Sequence, residues 1–302
     1  MPWTRPSTVP FPSVWLRFQA KGLDSPEPVW YVVQDVPEDR FEDAVRFMSH
    51  FFPHDEQLNE ALGFVDDPLA LEESIGLWRD MVRQRVSLVC FREGSSEIVG
   101  ANMLGVSCKA DQKREERFGS AILQTIYDTT KYVSKQANLY ERYGVQEYLS
   151  AMGLSVDPKY RGRGIATELL RARIPLCRAV GIRLTSTCFT GAGSQIAAAR
   201  AGYTEDYSVT YGELKAIDAR FDFPGIETKP CKYMSYRIES GTRSGVLFSP
   251  STIGDPIAAE IAHTSRIVRH TRRLFLCFAY LIGCVTAMYL RRRGEERSIN
   301  SE

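Results

Sequence analysis

The residues with the clearest chemical meaning form one short run, Asp157-Pro158-Lys159-Tyr160-Arg161-Gly162-Arg163-Gly164-Ile165-Ala166. Two glycines let the backbone approach a ligand closely, and a helix starting after them points free N–H groups and a positive dipole end at whatever sits there. Arg161 and Arg163 add positive charge. That combination suits a pyrophosphate, although a plain strand-to-helix turn would use the same glycines. A nucleotide-binding Walker loop is excluded because no Gly-Lys-Ser/Thr follows, and a dinucleotide fingerprint because the third glycine is missing. A phosphate-bearing cofactor other than a dinucleotide fits best. The seven cysteines are scattered, with no Cys-x-x-Cys pair and no Cys/His cluster, so neither zinc nor thiol redox chemistry is indicated. Cys177 and Cys188 lack a basic partner that would make either an acyl carrier.

These residues need a scaffold, and the chain is long enough for one. Of 302 residues 44% are apolar and 25% charged, ordinary for a globular protein. Lys plus Arg number 38 against 37 Asp plus Glu, so no global charge points to nucleic acid. Trp30 to Val33 predicts a strand, and apolar spacing over Phe41, Ala44, Val45, Met48, Phe51 and Phe52 predicts an amphipathic helix ending at Pro53. A second helix is expected over Asp67 to Arg83, then two strands, Val86 to Phe91 and Ile98 to Leu104, joined by a glycine-containing turn. Residues 109 to 141 are mostly helical in pattern. A strand over Tyr148 to Val156, the phosphate loop, a helix over Gly164 to Ala179, a strand over Ile182 to Phe189 and a helix over Ser194 to Arg200 complete the pattern. The alternation predicts an α/β fold, a mixed twisted sheet with a parallel crossover.

Residues 1–28, rich in proline, read as a flexible leader, and 29–238 as the folded domain. Residues 239–262 are a Ser/Gly/Pro-rich linker, and 263–302 hold a run from Leu274 to Leu290 without a charged residue. At about 1.5 Å per residue such a run spans roughly 25 Å, the short limit for a bilayer core, with arginines on both sides to reach the headgroups. The expectation is a single C-terminal membrane-spanning helix at 274–290. Twelve residues follow it, which suits a tail anchor that leaves the catalytic domain in the cytosol.

The run Arg161 to Ala166 fits the Arg/Gln-x-x-Gly-x-Gly/Ala signature of the GNAT acetyltransferases. Four further blocks, Phe51-Phe52-Pro53-His54-Asp55-Glu56-Gln57-Leu58-Asn59, Glu141-Arg142-Tyr143-Gly144-Val145, Leu154-Ser155-Val156-Asp157-Pro158 and Phe189-Thr190-Gly191-Ala192-Gly193-Ser194-Gln195, resemble those of the insect-type arylalkylamine N-acetyltransferases, in the same order. Gln57 stands where that branch usually has proline, and Thr190 where it commonly has the first of two serines.

The resemblance implies an acetyl-coenzyme A-dependent N-acetyltransferase acting on a small primary amine, an arylalkylamine, by direct attack within a ternary complex. It implies Arg161, Gly162, Arg163, Gly164, Ile165 and Ala166 as cofactor contacts, and Leu154 and Val156 as strand positions along which pantetheine lies. A primary amine with a pKa of about 10.4 is mostly protonated at neutral pH, so transfer needs a general base. The resemblance places that role on Glu56, with Asp55 and His54 as neighbouring rivals. Hydroxyls at Thr190 and Ser194 are candidates for stabilising the departing thiolate and the tetrahedral oxyanion, and Ser194 equally for a helix N-cap. Among Tyr31, Phe51, Phe52, Tyr203, Tyr207 and Tyr211, the Phe51-Phe52 region is expected nearest the amine pocket. Two other functions fit the same cofactor loop: a membrane-tethered acyl-coenzyme A-binding scaffold without turnover, and an acetyltransferase for protein N-termini or lysines.

Overall fold

A computed structural model describes residues 3–23, 27–113, 115–228 and 230–239. The chain begins with the antiparallel pair β1 (Val14–Lys21) and β2 (Pro28–Asp35). In β1 the half-buried Leu16, Phe18 and Ala20 alternate with exposed Arg17, Gln19 and Lys21, the period of two that an edge strand requires. This corrects the expected leader over 1–28. The prolines precede β1 and leave its ladder intact, and the segment before it is anchored on buried Asp35. That carboxylate accepts from Arg5 Nη2 at 2.9 Å, the Ser13 N–H at 2.8 Å and Trp15 Nε1 at 2.7 Å.

Three helices follow where the periodicity predicted two. α1 (Phe41–Asp55) buries Ala44, Val45 and Met48, and runs two residues past Pro53, because the missing proline N–H frees only one carbonyl and Glu56 N–H still closes the last turn on Phe52 O at 3.1 Å. α2 (Gln57–Leu62) is a short turn of helix, and α3 (Pro68–Arg83) starts at an Asp67 cap. β3 (Leu88–Arg92) and β4 (Ile98–Cys108) form the expected hairpin. The helical stretch after it resolves into α4 (Ala121–Ala137) and α5 (Leu139–Tyr143).

β5 (Glu147–Val156), α6 (Ile165–Val180) and β6 (Leu184–Phe189) then make the parallel crossover, and α7 (Ala192–Arg200) follows. The described residues end with β7 (Thr204–Thr210), α8 (Tyr211–Ile217) and β8 (Pro230–Arg237). Among the described residues eight strands join one mixed sheet in the order β1-β2-β3-β4-β5-β6-β8-β7. Helices cover both faces. Leu88 and Cys90 pack in the cluster with Leu169 and Leu176 of α6, while Val89 and Phe91 join Met48 of α1 and Trp78 of α3. Central strands with two covered faces read as continuous apolar runs.

Two features of β5 shape the site. Its parallel pairing with β6 is confined to Leu149 and Thr185, so the two strands part toward Val156 and Phe189. Between Ala151 and Leu154 it carries one extra residue relative to β4, a bulge in which Gly153 has φ +113°. A Cβ there would lie 2.7 Å from Met48 Cε and 3.1 Å from the Phe52 ring, so only glycine fits. Among the described residues no helix is long and apolar enough to cross a membrane. The expected span at 274–290, with most of its linker, lies outside them.

Candidate active site

Glu56 occupies the junction of α1 and α2 in extended backbone (φ −88°, ψ 119°) and caps α2, its Oε2 accepting the Asn59 N–H at 2.9 Å. The other oxygen, Oε1, accepts the Thr190 hydroxyl at 2.6 Å. Burial pushes the Glu56 carboxyl above the usual carboxylate range, while the bonds from Thr190 and the α2 backbone oppose that rise. A carboxylate raised in this way binds a proton more readily than an exposed one. Its rivals separate. Asp55 accepts from Arg161 Nη2 at 2.5 Å and from Ser155 Oγ at 3.1 Å, and His54 is exposed outside the cleft that Glu56 lines.

Gln57, in the place usually taken by proline, has a structural task. Its Nε2 donates to Thr190 O at 2.5 Å and to the Tyr211 hydroxyl at 2.8 Å, and that hydroxyl donates to Thr190 O at 3.1 Å. Thr190, just past β6, is therefore gripped by its hydroxyl and by its carbonyl. Its hydroxyl hydrogen is directed at Glu56, so the hydroxyl expected to face the departing thiolate holds the Glu56 carboxylate in place instead. Ser194 is not a cap: α7 starts at Ala192 with Gly191 as its cap, and the exposed Ser194 hydroxyl donates back to Gly191 O at 2.8 Å. Ser194 lines the cleft but does not meet Glu56.

The phosphate loop divides its expected residues. Gly162 (φ +76°) and Gly164 (φ +79°) are in the left-handed region that glycine favours, with open space where a Cβ would stand, and Gly164 caps α6. Ile165 and Ala166 form the first turn of that helix, and these residues line the cleft with Arg161, Leu154 and Val156. Arg163 does not. Its guanidinium donates to Lys21 O, Gly22 O, Lys159 O and Arg161 O at 2.9 to 3.1 Å, so it ties the end of β1 to the loop, and its expected cofactor contact is withdrawn for the side chain. Charge beside glycine is visible in a sequence, but the direction in which a guanidinium turns is not.

The cleft holds about 1640 Å³ and includes the open edge of β5. Its lining includes part of a network that the sequence pattern did not reveal. Arg173 of α6 is 1% exposed, and its Nε donates to Asn102 Oδ1 at 2.8 Å and its Nη1 to Thr187 Oγ1 at 3.1 Å. Asn102 Nδ2 in turn donates to Gly153 O at 2.8 Å, and Trp78 Nε1 to Met152 O at 2.8 Å. The bulge is thus held from both sides. A signal existed: Arg173 follows Leu169 by four on the core face of α6, and Asn102 interrupts the apolar run of β4. Of the six aromatic candidates only Phe52 lines the cleft, where Phe64, Trp78, Tyr127, Tyr140 and Tyr148 join it. Cys188 Sγ lies 3.0 Å from Cys231 Sγ and Cys177 is fully buried; a shared hydrogen bond raises the first thiol, and burial pushes the Cys177 thiol to about 12, so neither is a nucleophile.

The Acetyltransferase (GNAT) family matches residues 110–203. A yellow fever mosquito (Aedes aegypti) protein named arylalkylamine N-acetyltransferase 7 is 61% identical, with a TM-score of 0.77 over 78% of this chain and all of its own. Arylalkylamine N-acetyltransferase 2 of Aedes aegypti (19% identical, TM-score 0.60, 69% of this chain and 99% of its own) and the Drosophila melanogaster polyamine N-acetyltransferase (20%, 0.59, 69% and 100%) share the fold. No curated protein sequence matches. A splayed parallel strand pair, a glycine loop opening α6 and 61% identity over the whole of a named relative place this chain in the GNAT acetyltransferases, in the insect arylalkylamine N-acetyltransferase family, as an acetyl-coenzyme A-dependent N-acetyltransferase.

Proposed function

We propose that the enzyme acetylates a small primary arylalkylamine by direct attack, with both substrates bound together and Glu56 as general base. One observation carries the reading: a half-buried carboxylate, fixed on one oxygen by Thr190 and on the other by the Asn59 N–H, lines the same cleft as the glycine loop. The residues present suit coenzyme A. Positive φ at Gly162 and Gly164 brings N–H groups of the loop and the first turn of α6 to a pyrophosphate, Arg161, bonded to Asp55 and to Val156 O, adds a guanidinium, and the open edge of β5 about Leu154 offers backbone groups to a pantetheine arm. The bound thioester supplies the activated acetyl group.

Glu56 then removes the proton that keeps the amine from acting as a nucleophile. Thr190 holds the carboxylate in place, and Gln57 and Tyr211 hold Thr190. The walls made by Phe52, Phe64 and Trp78 exclude water and favour an aromatic or alkyl body on the amine. Acetyl transfer to dopamine, tyramine, serotonin, histamine and agmatine tests the proposal. Turnover of the aromatic amines supports it. Coenzyme A binding without acetylation of any of them removes the substrate assignment in favour of a non-catalytic acyl-coenzyme A binder, and preference for a peptide N-terminus or lysine favours protein acetylation.

For the tail, we propose that 274–290 anchors the chain in a membrane, on the strength of its uncharged run between arginines. Retention of the full chain, and release of a chain lacking 263–302, after alkaline extraction of cell membranes tests this.

A further inference from the structure

Asn59 follows Glu56 by three positions in α2, and its backbone N–H is the one that Glu56 Oε2 accepts. Its side chain is 3% exposed and lines the cleft, and its Nδ2 has no hydrogen-bond partner among the described residues. Buried amide donors are almost always paired, because leaving one dry forfeits its hydration without return. Phe64, Trp78, Ile126 and Met152 give the same cleft apolar walls, among polar side chains that include Ser74 and Gln57. An apolar pocket with one or two placed polar groups is the usual construction of a small-molecule site, the polar groups fixing which ligand is accepted.

Resting on the arylalkylamine reading above, we infer that Asn59 is a specificity residue whose amide donates a hydrogen bond to an acceptor on the body of the amine substrate, away from the reacting nitrogen. The preferred amines are therefore those that carry a hydroxyl or ring-nitrogen acceptor. An amine of the same shape without one leaves the Asn59 donor dry in the occupied cleft and is disfavoured. This asymmetry makes a polar contact in a closed site more selective than an added methylene.

The test uses the full chain and amines matched in shape: phenethylamine, which has no acceptor beyond its nitrogen, against 2-amino-1-phenylethanol and tyramine, which add one hydroxyl near the nitrogen or on the ring. The unsubstituted enzyme is expected to favour at least one hydroxylated amine over phenethylamine by about tenfold or more in kcat/KM, and Asn59→Leu to bring that ratio within about twofold of one. Because the readout is a ratio within one protein, a general loss of activity cancels. Asn59→Ala is read in the same way, so that a packing fault from leucine does not decide the matter. Turnover with no preference in the unsubstituted enzyme, or a preference unchanged in both variants, overturns the inference and leaves the arylalkylamine reading standing. Absence of turnover for all three amines overturns both.

Discussion

Thr190 and Glu56 lie 134 positions apart in sequence and meet at 2.6 Å, the Thr190 hydroxyl donating to the carboxylate Oε1. A hydrogen bond to the charged form favours that form, so this contact holds down a carboxyl that burial raises. Thr190→Val keeps the shape and removes the donor. The Glu56 carboxyl then rises further, and the acidic limb of kcat/KM moves to higher pH by about half to one pH unit, the equivalent of one ordinary hydrogen bond. A pH profile of the variant checks this, and an unmoved limb would separate Thr190 from the base.

Burial of Glu56 also has a consequence for stability. Its folded-state pKa is raised above the unfolded value of about 4.3. The contribution to stability is therefore full below the unfolded value and is lost as pH rises through the folded one. Glu56→Gln removes the titration. At pH 8 the variant is expected to melt at least about 2 °C above the unsubstituted protein, with the gap closing toward pH 4. Melting curves across that range measure it directly.

The two loop arginines are expected to fail differently. Arg161 lines the cleft, and Arg161→Ala weakens coenzyme A binding by about five- to tenfold, an effect that shrinks in high salt. Arg163→Ala breaks four bonds to main-chain carbonyls at the end of β1 and within the loop. It lowers the melting temperature by about 4 °C and leaves coenzyme A affinity within about twofold. Calorimetric binding and thermal melts on the two variants separate the roles.

Gly153→Ala sets a side chain at φ +113° against Met48 Cε and the Phe52 ring. Both strain and overlap act, so the expected destabilisation is about 2–4 kcal/mol, measured by denaturant unfolding. The bulge that presents β5 to the cleft shifts with it, and activity falls more steeply than coenzyme A binding.

What the sequence made legible was local. The run from β5 through the glycine loop and α6 to β6 lies in one continuous stretch, so strand, turn and helix signals reinforce one another there. β1 was hidden by the prolines before it, α2 by being too short to show a period, and the insertion of β8 between β6 and β7 by its dependence on pairing across the chain. The site divided in the same way. Glu56, Gly162 and Gly164 sit where the motif puts them, since backbone conformation and caps are set by neighbours. The clamp of Gln57 and Tyr211 on Thr190, the turning of Arg163 toward β1, and the chain from Arg173 through Asn102 to Gly153 each join distant segments, and no window of sequence contains both ends.

The most direct measurement is the pH dependence of kcat/KM for tyramine acetylation by the enzyme and by Glu56→Gln. With Glu56 as the base, the variant is slower by about 10²–10⁴ at pH 7. The gap narrows steadily as pH approaches the amine pKa of about 10.4, where the amine no longer needs help to lose its proton. Two parallel profiles, with a constant ratio from pH 6 to pH 10, would contradict the assignment.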